Sequence, residues 1–146
     1  MDVRIAAYAV VVDGPKLLMA HWNEHGRSGW TLPGGGIEGT EHPADAVVRE
    51  VFEETGFHIR VEELIGVDTM IVPAESRNAT TSPLYALRIL YTASIVSGEL
   101  RPEVGGSSDE AAWWDFADVP TLKRVSLVDI ALRLYQDRPA IGRTLR

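Results

Sequence analysis

Runs of apolar residues in the N-terminal part of the chain predict strands. Apolar runs over residues 5–12 and 16–22 flank Asp13 and Gly14, a dipeptide that favours a tight hairpin turn. Residues 29–36, with the sequence GWTLPGGG, indicate a short strand that runs into a glycine-rich turn. The first quarter of the chain is therefore expected to be β structure.

Three further segments have the composition of strands. Residues 57–73 and 84–98 are rich in β-branched and aromatic residues, and the polar loop 74–82 separates them. Residues 111–116, with the sequence AAWWDF, predict one more strand. Trp113 and Trp114 are expected to face opposite sides of that strand, because successive side chains alternate.

Two segments have the apolar spacing of amphipathic helices. The first covers residues 44–55; it follows Pro43, which a first helical turn tolerates, and it ends before Gly56, a residue type that commonly terminates helices. The second covers residues 126–137. Strands around one central and one terminal helix predict an α+β fold built in layers.

Composition and charge limit the classes to which the chain can belong. Its 146 residues, 45% of them hydrophobic, fit a single domain over 1–146. The absence of cysteine excludes disulfides, a thiolate zinc site and a cysteine nucleophile. The N-terminal apolar run is too short to span a bilayer and lacks the features of a signal peptide, so a cytoplasmic protein without a membrane partner is expected. The net charge of −7 argues against binding a nucleic-acid polymer, but a bound cation would still permit a nucleotide ligand.

An acidic cluster lies near the end of the first predicted helix. Glu50, Glu53 and Glu54 are three and four residues apart, so they project from one helix face, where like charges repel. They also lie at the C-terminal end, where the helix dipole disfavours anions. An oxygen-seeking cation such as Mg²⁺ would relieve both penalties. The alternative is an ordinary solvated acidic face.

The residues on both sides of this cluster have the spacing of a known sequence motif. A glycine is followed after five residues by a glutamate, after seven more by Arg-Glu-Val, and then by two glutamates and a Gly-Phe pair. The positions are Gly35, Glu41, Arg49, Glu50, Val51, Glu53, Glu54, Gly56 and Phe57. This pattern is the Nudix box, and the chain resembles the Nudix hydrolase family. The resemblance implies an α/β/α sandwich with a mixed central sheet and hydrolysis of a nucleoside diphosphate linked to another moiety, with Mg²⁺ or Mn²⁺ as cofactor.

Several roles follow from the resemblance. The expected metal ligands are the carboxylates Glu50, Glu53 and Glu54 and the carbonyl of Gly34. Arg49 is expected to orient a neighbouring carboxylate. Glu41 is expected to hold the loop or to bind a metal through water, and Gly35 and Gly36 allow the backbone to approach phosphate. The general base is expected to be Glu110, with Glu103 and Glu53 as competitors.

The substrate is less constrained by the sequence. Pro73 stands sixteen residues after Phe57, a distance that resembles the ADP-ribose pyrophosphatase branch, so ADP-ribose or a nucleotide sugar is favoured. A MutT-like nucleoside triphosphate pyrophosphohydrolase and a non-catalytic nucleotide-binding module are the alternatives. Aromatic residues near the box could stack on a base, and two loop arginines could meet phosphates: His21, Trp22, Trp30, Arg27 and Arg77. Alternatively, the tryptophans pack in the core or at a sheet edge, and the arginines are solvated surface residues. The surplus of apolar strands would suit a homodimer.

Overall fold

Seven strands and two α-helices make up the part of the chain that the computed structural model describes, residues 1–77 and 80–144. In chain order they are β1 (Asp2–Asp13), β2 (Lys16–Glu24), β3 (Arg27–Thr31), β4 (Gly34–Gly36), α1 (Pro43–Thr55), β5 (Phe57–Val72), β6 (Leu84–Gly98), β7 (Ser108–Asp115) and α2 (Ser126–Asp137). Short 3-10 helices cover Ala74–Ser76 and Phe116–Thr121.

The strands form one mixed sheet in the order β3-β2-β1-β6-β5, with β4 paired to β1 and β7 paired to β2. The β1–β6 pair is parallel, with Arg4 opposite Ala86 and Ala6 opposite Arg88. The other pairs are antiparallel. The mixed pairing confirms the predicted fold class.

Each helix covers one face of the sheet. On one face, Val47 and Val51 of α1 pack with alanines of β1. On the other face, Leu127 and Leu134 of α2 pack with side chains of β1, β2 and β6. Helix, sheet and helix thus form three layers. Trp113 packs on the α1 side and Trp114 on the α2 side, which confirms that they face opposite sides.

The ends of α1 follow from local sequence. The helix begins at Pro43, and the His42 side chain caps it by accepting a hydrogen bond from the Ala44 N–H at 3.0 Å. It ends at Gly56, whose φ of 84° is left-handed and whose N–H donates to the Phe52 carbonyl. Both predicted helix boundaries are confirmed to within one residue.

Two local predictions need correction. The glycine-rich segment is a strand, β4, and not a turn, because its backbone pairs with residues 6–8 of β1. The polar loop 74–82 contains a one-turn 3-10 helix that starts after Pro73. Residues 78 and 79 of that loop, and residues 145 and 146 of the expected single domain, lie outside the described part of the chain.

Some apolar side chains remain exposed on the sheet. Val3, Ile5 and Ile71 are 66%, 42% and 51% exposed, so they contribute little to the core. The homodimer expected from the surplus of apolar strands stays a prediction. Within the described residues, no helix is long and apolar enough to span a membrane.

Candidate active site

A cavity of about 440 Å³ lies beside α1 and the glycine strand β4. Its walls combine acidic, basic and aromatic side chains with three glycines. These are Glu24, Glu50, Glu54 and Glu103, then Arg4 and Arg88, then Tyr8 and Trp22, and finally Gly34, Gly35 and Gly36. Two of the expected metal-binding carboxylates, Glu50 and Glu54, therefore share a cavity with the backbone of the expected phosphate-binding glycines.

Glu54 lies deepest in the acidic cluster and is only 5% exposed. Its carboxylate accepts hydrogen bonds from the Gly34 N–H at 3.2 Å and from the Ser108 hydroxyl at 3.4 Å. Burial raises the pKa of Glu54 well above its ordinary value, and the negative charge of Glu50 raises it further. Burial also raises the pKa of Glu50. The two carboxylates therefore carry their charge in a site that has lost hydration.

Arg49 supplies much of the positive charge in this region. Its guanidinium donates to Glu41 at 2.6 Å and 3.2 Å and to Glu50 at 3.1 Å. It also reaches Glu53 at 3.4 Å and the Gly36 carbonyl at 3.1 Å. Hydrogen bonding to Glu41 raises the pKa of Arg49 despite the opposing effect of burial, so it remains charged. Arg49 thus holds three carboxylates in place, and its expected role as an orienting residue stays a prediction.

Glu41 and Glu53 occupy the margin of the cluster. Glu41 accepts from Arg49 and from the Glu38 N–H at 2.8 Å, and these hydrogen bonds lower its pKa. It fits the expected role of holding the loop, and it does not line the cavity. Glu53 lines a neighbouring cavity of about 420 Å³ together with Glu103, which lines both cavities.

The glycines of β4 leave room for the carboxylates. A Cβ atom on Gly35 would lie 2.7 Å from the carboxyl carbon of Glu50. A Cβ atom on Gly34, which has a φ of 148°, would lie 2.3 Å from the Ala7 carbonyl oxygen. A Cβ atom on Gly36 would meet only ordinary contacts with Arg4. Gly34 therefore needs to be glycine, because the clash is with backbone atoms. At Gly35 the clash is with the end of the Glu50 side chain, which would have to move, and at Gly36 there is no clash.

Glu110 does not reach the acidic cluster. In the β2–β7 pair, Glu110 lies opposite His21 and Ser108 lies opposite Trp22, with a register shift between them. Neither Glu110 nor its strand partner His21 lines either of the two cavities beside the cluster, whereas Ser108 lines the larger one. Glu110 is also exposed. The structure therefore does not favour Glu110 as general base.

Glu103, a competing candidate for the general base, lies next to the acidic cluster. Its carboxylate accepts from the Ser108 N–H at 3.1 Å and lies against Gly106, where a Cβ atom would approach within 2.0 Å. Its negative charge contributes to the raised pKa of Glu54. Glu103 is therefore held beside the acidic cluster.

Most of the other aromatic and basic candidates have structural partners. Trp30 packs against the core and contacts the rings of His21 and Trp114 edge to face. Arg27 donates to the Ser76 carbonyl, and Arg77 donates to Asp2 and to the Ser82 carbonyl. Neither arginine lines the cavity. Of this set, only Trp22 does.

Several side chains that line the cavity were not expected from the sequence, among them two arginines and a tyrosine. Arg4 and Tyr8 on β1 and Arg88 on β6 face the same space as the acidic cluster. A signal for one of them was present, because Arg88 interrupts the apolar run LYALRILY of β6. A charged residue in such a buried strand indicates a polar site next to the sheet.

The residues present fit a divalent cation. The donors are carboxylate oxygens, which Mg²⁺ and Mn²⁺ prefer, and burial raises the pKa values of Glu50 and Glu54, so a bound cation would offset the hydration that these carboxylates have lost. In the described residues, no three acidic or imidazole groups already form a closed metal site. Arg49 is hydrogen-bonded to Glu50 and Glu53, so a metal would compete with it for these oxygens.

The raised pKa of Glu54 predicts a pH-dependent stability difference. The folded protein holds the Glu54 proton more tightly than the unfolded chain, so this group favours folding most below about pH 4.3, the pKa of an unperturbed glutamate. That contribution is lost as the pH rises above this value. Glu54→Gln removes the titration, so without metal the variant is expected to unfold at a higher temperature than wild type at pH 7, with the difference shrinking towards pH 4. Thermal unfolding in EDTA across this range measures it, and a constant difference would contradict the burial argument.

Comparison with known proteins defines the family. The chain belongs to the Nudix family, since residues 2–134 match the NUDIX domain. Its fold resembles a Nudix hydrolase from Nitrosomonas europaea with a TM-score of 0.80 and 22% identity, covering 97% of this chain and 92% of that one. An ADP-ribose pyrophosphatase from Streptococcus suis has a TM-score of 0.64 and 21% identity, covering 93% and 92%. At these identities the two structures show the shared fold.

Curated relatives match parts of the chain at higher identity. An ADP-ribose pyrophosphatase from Methanocaldococcus jannaschii is 32% identical over an alignment of 120 residues that covers 78% of this chain and 66% of that protein. A MutT-like protein from Streptomyces ambofaciens is 45% identical over 66 residues, which are 45% of this chain and 41% of that protein. The chain thus spans less than two thirds of the length of either relative.

Proposed function

We propose that this chain is a divalent-metal-dependent pyrophosphohydrolase that cleaves the diphosphate bond of a nucleoside diphosphate linked to another moiety. The observation that carries the proposal is the pairing of Glu50 and Glu54 with the glycine strand β4 in one cavity. Glu50, Glu53 and Glu54 would hold the metal, and the carbonyl of Gly34 is the further ligand that the family resemblance implies. The cofactor would be Mg²⁺ or Mn²⁺.

The proposed chemistry needs several groups of the chain. A bound divalent ion would neutralise charge on the diphosphate and lower the pKa of the attacking water. Arg49 keeps the carboxylates oriented through its hydrogen bonds to Glu41 and Glu50. Glu103 would accept a proton from the water, because it lies outside α1 and is held beside Glu54 through Ser108, which donates to both carboxylates.

The base assignment predicts a difference between two glutamate variants. Glu103→Gln is expected to lower kcat by about a hundredfold or more with little change in KM, the range for removing a general base. Glu110→Gln, at an exposed position outside both cavities, is expected to stay near wild type. Steady-state kinetics on the two variants measure this. A large loss in Glu110→Gln with normal Glu103→Gln would restore the assignment made from the sequence.

ADP-ribose or a nucleotide sugar is the favoured substrate. The support is the relative from Methanocaldococcus jannaschii, which is named an ADP-ribose pyrophosphatase, together with the position of Pro73 after β5. A nucleoside triphosphate pyrophosphohydrolase is the second candidate, supported by the match to the MutT-like protein. A non-catalytic module would be expected to have lost a metal carboxylate, whereas Glu50, Glu53 and Glu54 are all present.

A product-resolved assay separates these candidates. Wild-type protein is incubated with Mg²⁺ and then Mn²⁺ against ADP-ribose, nucleotide sugars and nucleoside triphosphates. AMP and ribose 5-phosphate from ADP-ribose are the expected products. Pyrophosphate and a nucleoside monophosphate from a triphosphate would favour the second candidate. No turnover of any substrate by folded protein would overturn the proposed activity.

A further inference from the structure

Two arginines occupy the cavity wall across from the acidic cluster. The register of β1 against β6 places Arg4 opposite Ala86 and Arg88 opposite Ala6, so the two arginines are diagonal neighbours on one face of the sheet. Burial lowers the pKa of Arg88, and the nearby positive charge of Arg4 lowers it further. Like charges have therefore been brought together in a partly closed space.

Both guanidiniums have donors to spare. Arg4 donates a hydrogen bond to the Tyr8 hydroxyl at 3.3 Å, and it makes no ion pair with a carboxylate in residues 1–77 or 80–144. Arg88 is 6% exposed and pairs with Asp68, while its Nε atom is buried and has no hydrogen-bond partner among the described residues. An unpaired donor on a buried cation is costly unless a ligand compensates for it.

Apolar side chains continue the cavity beyond Arg4. In the strand register, Met70 and Ala86 lie level with Arg4, and the next pair on the same face is Val72 and Leu84. All four line the cavity. The glycine strand pairs with residues 6–8 of β1, so the acidic cluster lies on the other side of Arg4. The cavity thus runs from carboxylates, through guanidiniums, to an apolar floor.

We propose that Arg4 and Arg88 form an anion subsite for the phosphoryl group next to the nucleoside, with the nucleoside lying on the apolar floor formed by Met70, Val72, Leu84 and Ala86. This inference rests on the proposed function and adds the orientation of the substrate. The other phosphoryl group then lies at the acidic cluster, so the bond between the two groups crosses the space between Arg4 and Glu50.

The spatial order of the charged groups along the cavity supports this orientation of the substrate. A guanidinium matches the geometry of phosphate oxygens and retains its charge at every physiological pH. Without metal, Glu50 and Glu54 repel a phosphate, so the arginines are the groups that can attract one in the metal-free protein. An aromatic ring, Trp22, and the apolar floor provide the surface that a base and sugar need.

Binding of ADP to the metal-free protein tests the subsite. Calorimetric titrations in EDTA compare ADP and adenosine as ligands of wild type, Arg4→Gln and Arg133→Gln. Arg133 is an exposed arginine of α2, so its variant makes the same change in net charge away from the cavity. ADP is expected to bind wild type and Arg133→Gln alike, and Arg4→Gln is expected to raise the Kd about tenfold or more, the effect of losing a charged hydrogen bond.

Three results would overturn the anion subsite: no binding of ADP to metal-free wild type, equal Kd values for wild type and Arg4→Gln, or adenosine binding as tightly as ADP. Met70→Ser tests the floor separately. It is expected to raise the Kd of ADP several-fold, and an unchanged Kd would contradict the placement of the nucleoside. Thermal unfolding verifies that each variant folds.

The subsite and the proposed function can fail independently. If the protein hydrolyses its substrate with Mg²⁺ but ADP binding does not depend on Arg4, only the subsite is overturned. Arg4-dependent ADP binding in a protein that hydrolyses nothing would overturn the activity alone.

Discussion

Glu54→Gln is expected to remove metal-dependent hydrolysis while the protein stays folded. Glu54 is the deepest carboxylate of the cluster, and glutamine keeps its shape and can still accept the hydrogen bond from the Gly34 N–H. What the substitution removes is a negatively charged ligand. Mutating a group that hydrogen-bonds to a metal ligand typically lowers metal affinity or activity about 10- to 100-fold. Losing the ligand itself is therefore expected to lower kcat/KM by about a hundredfold or more.

A matched glutamate makes this result interpretable. Glu75→Gln removes the same charge at an exposed position, so it is expected to keep wild-type kinetics. Thermal unfolding in EDTA serves as the measure of folding, and the Glu54→Gln protein should be at least as stable as wild type at pH 7. Full turnover in folded Glu54→Gln would contradict the assignment of this carboxylate to the metal.

Gly34→Ala is expected to destabilise the fold severely. The new Cβ atom would lie 2.3 Å from the Ala7 carbonyl oxygen and 2.6 Å from the Tyr8 Cα atom, both of them backbone atoms that cannot move freely. The φ of 148° adds backbone strain for any residue with a side chain. Together these effects are expected to cost about 3–5 kcal/mol, or roughly 10 °C in Tm.

The neighbouring Gly36→Ala variant is the control for stability. Its Cβ atom would lie 3.7 Å from the Arg4 guanidinium, an ordinary contact, so the Tm is expected to change by only a few degrees. Thermal unfolding of the two variants measures the difference. Equal effects on Tm would show that the close approach of β4 to β1 is not what fixes glycine at position 34.

The fold was largely predictable because its elements depend on local patterns. The spacing of Val47 and Val51 and the stop at Gly56 specify α1 without reference to the rest of the chain. The glycine strand was missed because three glycines have no strand propensity, and only the tertiary pairing with β1 makes them a strand. Local sequence cannot predict a pairing with residues almost thirty positions away.

Only the part of the candidate site that lies within the Nudix box was predictable from the sequence. Glu50 and Glu54 share a helix face, so their spacing alone brings them together. The choice between Glu110 and Glu103 as general base was out of reach of the sequence, because the register shift in the β2–β7 pair depends on tertiary pairing. Arg4 and Arg88 come from strands that are distant in sequence, and their approach depends on the parallel register of β1 and β6.

The central claim, that the α1 glutamates bind a divalent cation, is tested most directly by titrating Mn²⁺ and following free Mn²⁺ by electron paramagnetic resonance. The wild-type protein is expected to remove Mn²⁺ from solution, whereas Glu54→Gln should leave most of it free and Glu75→Gln should match wild type. Equal binding by wild type and Glu54→Gln, or no binding by wild type, would contradict the account.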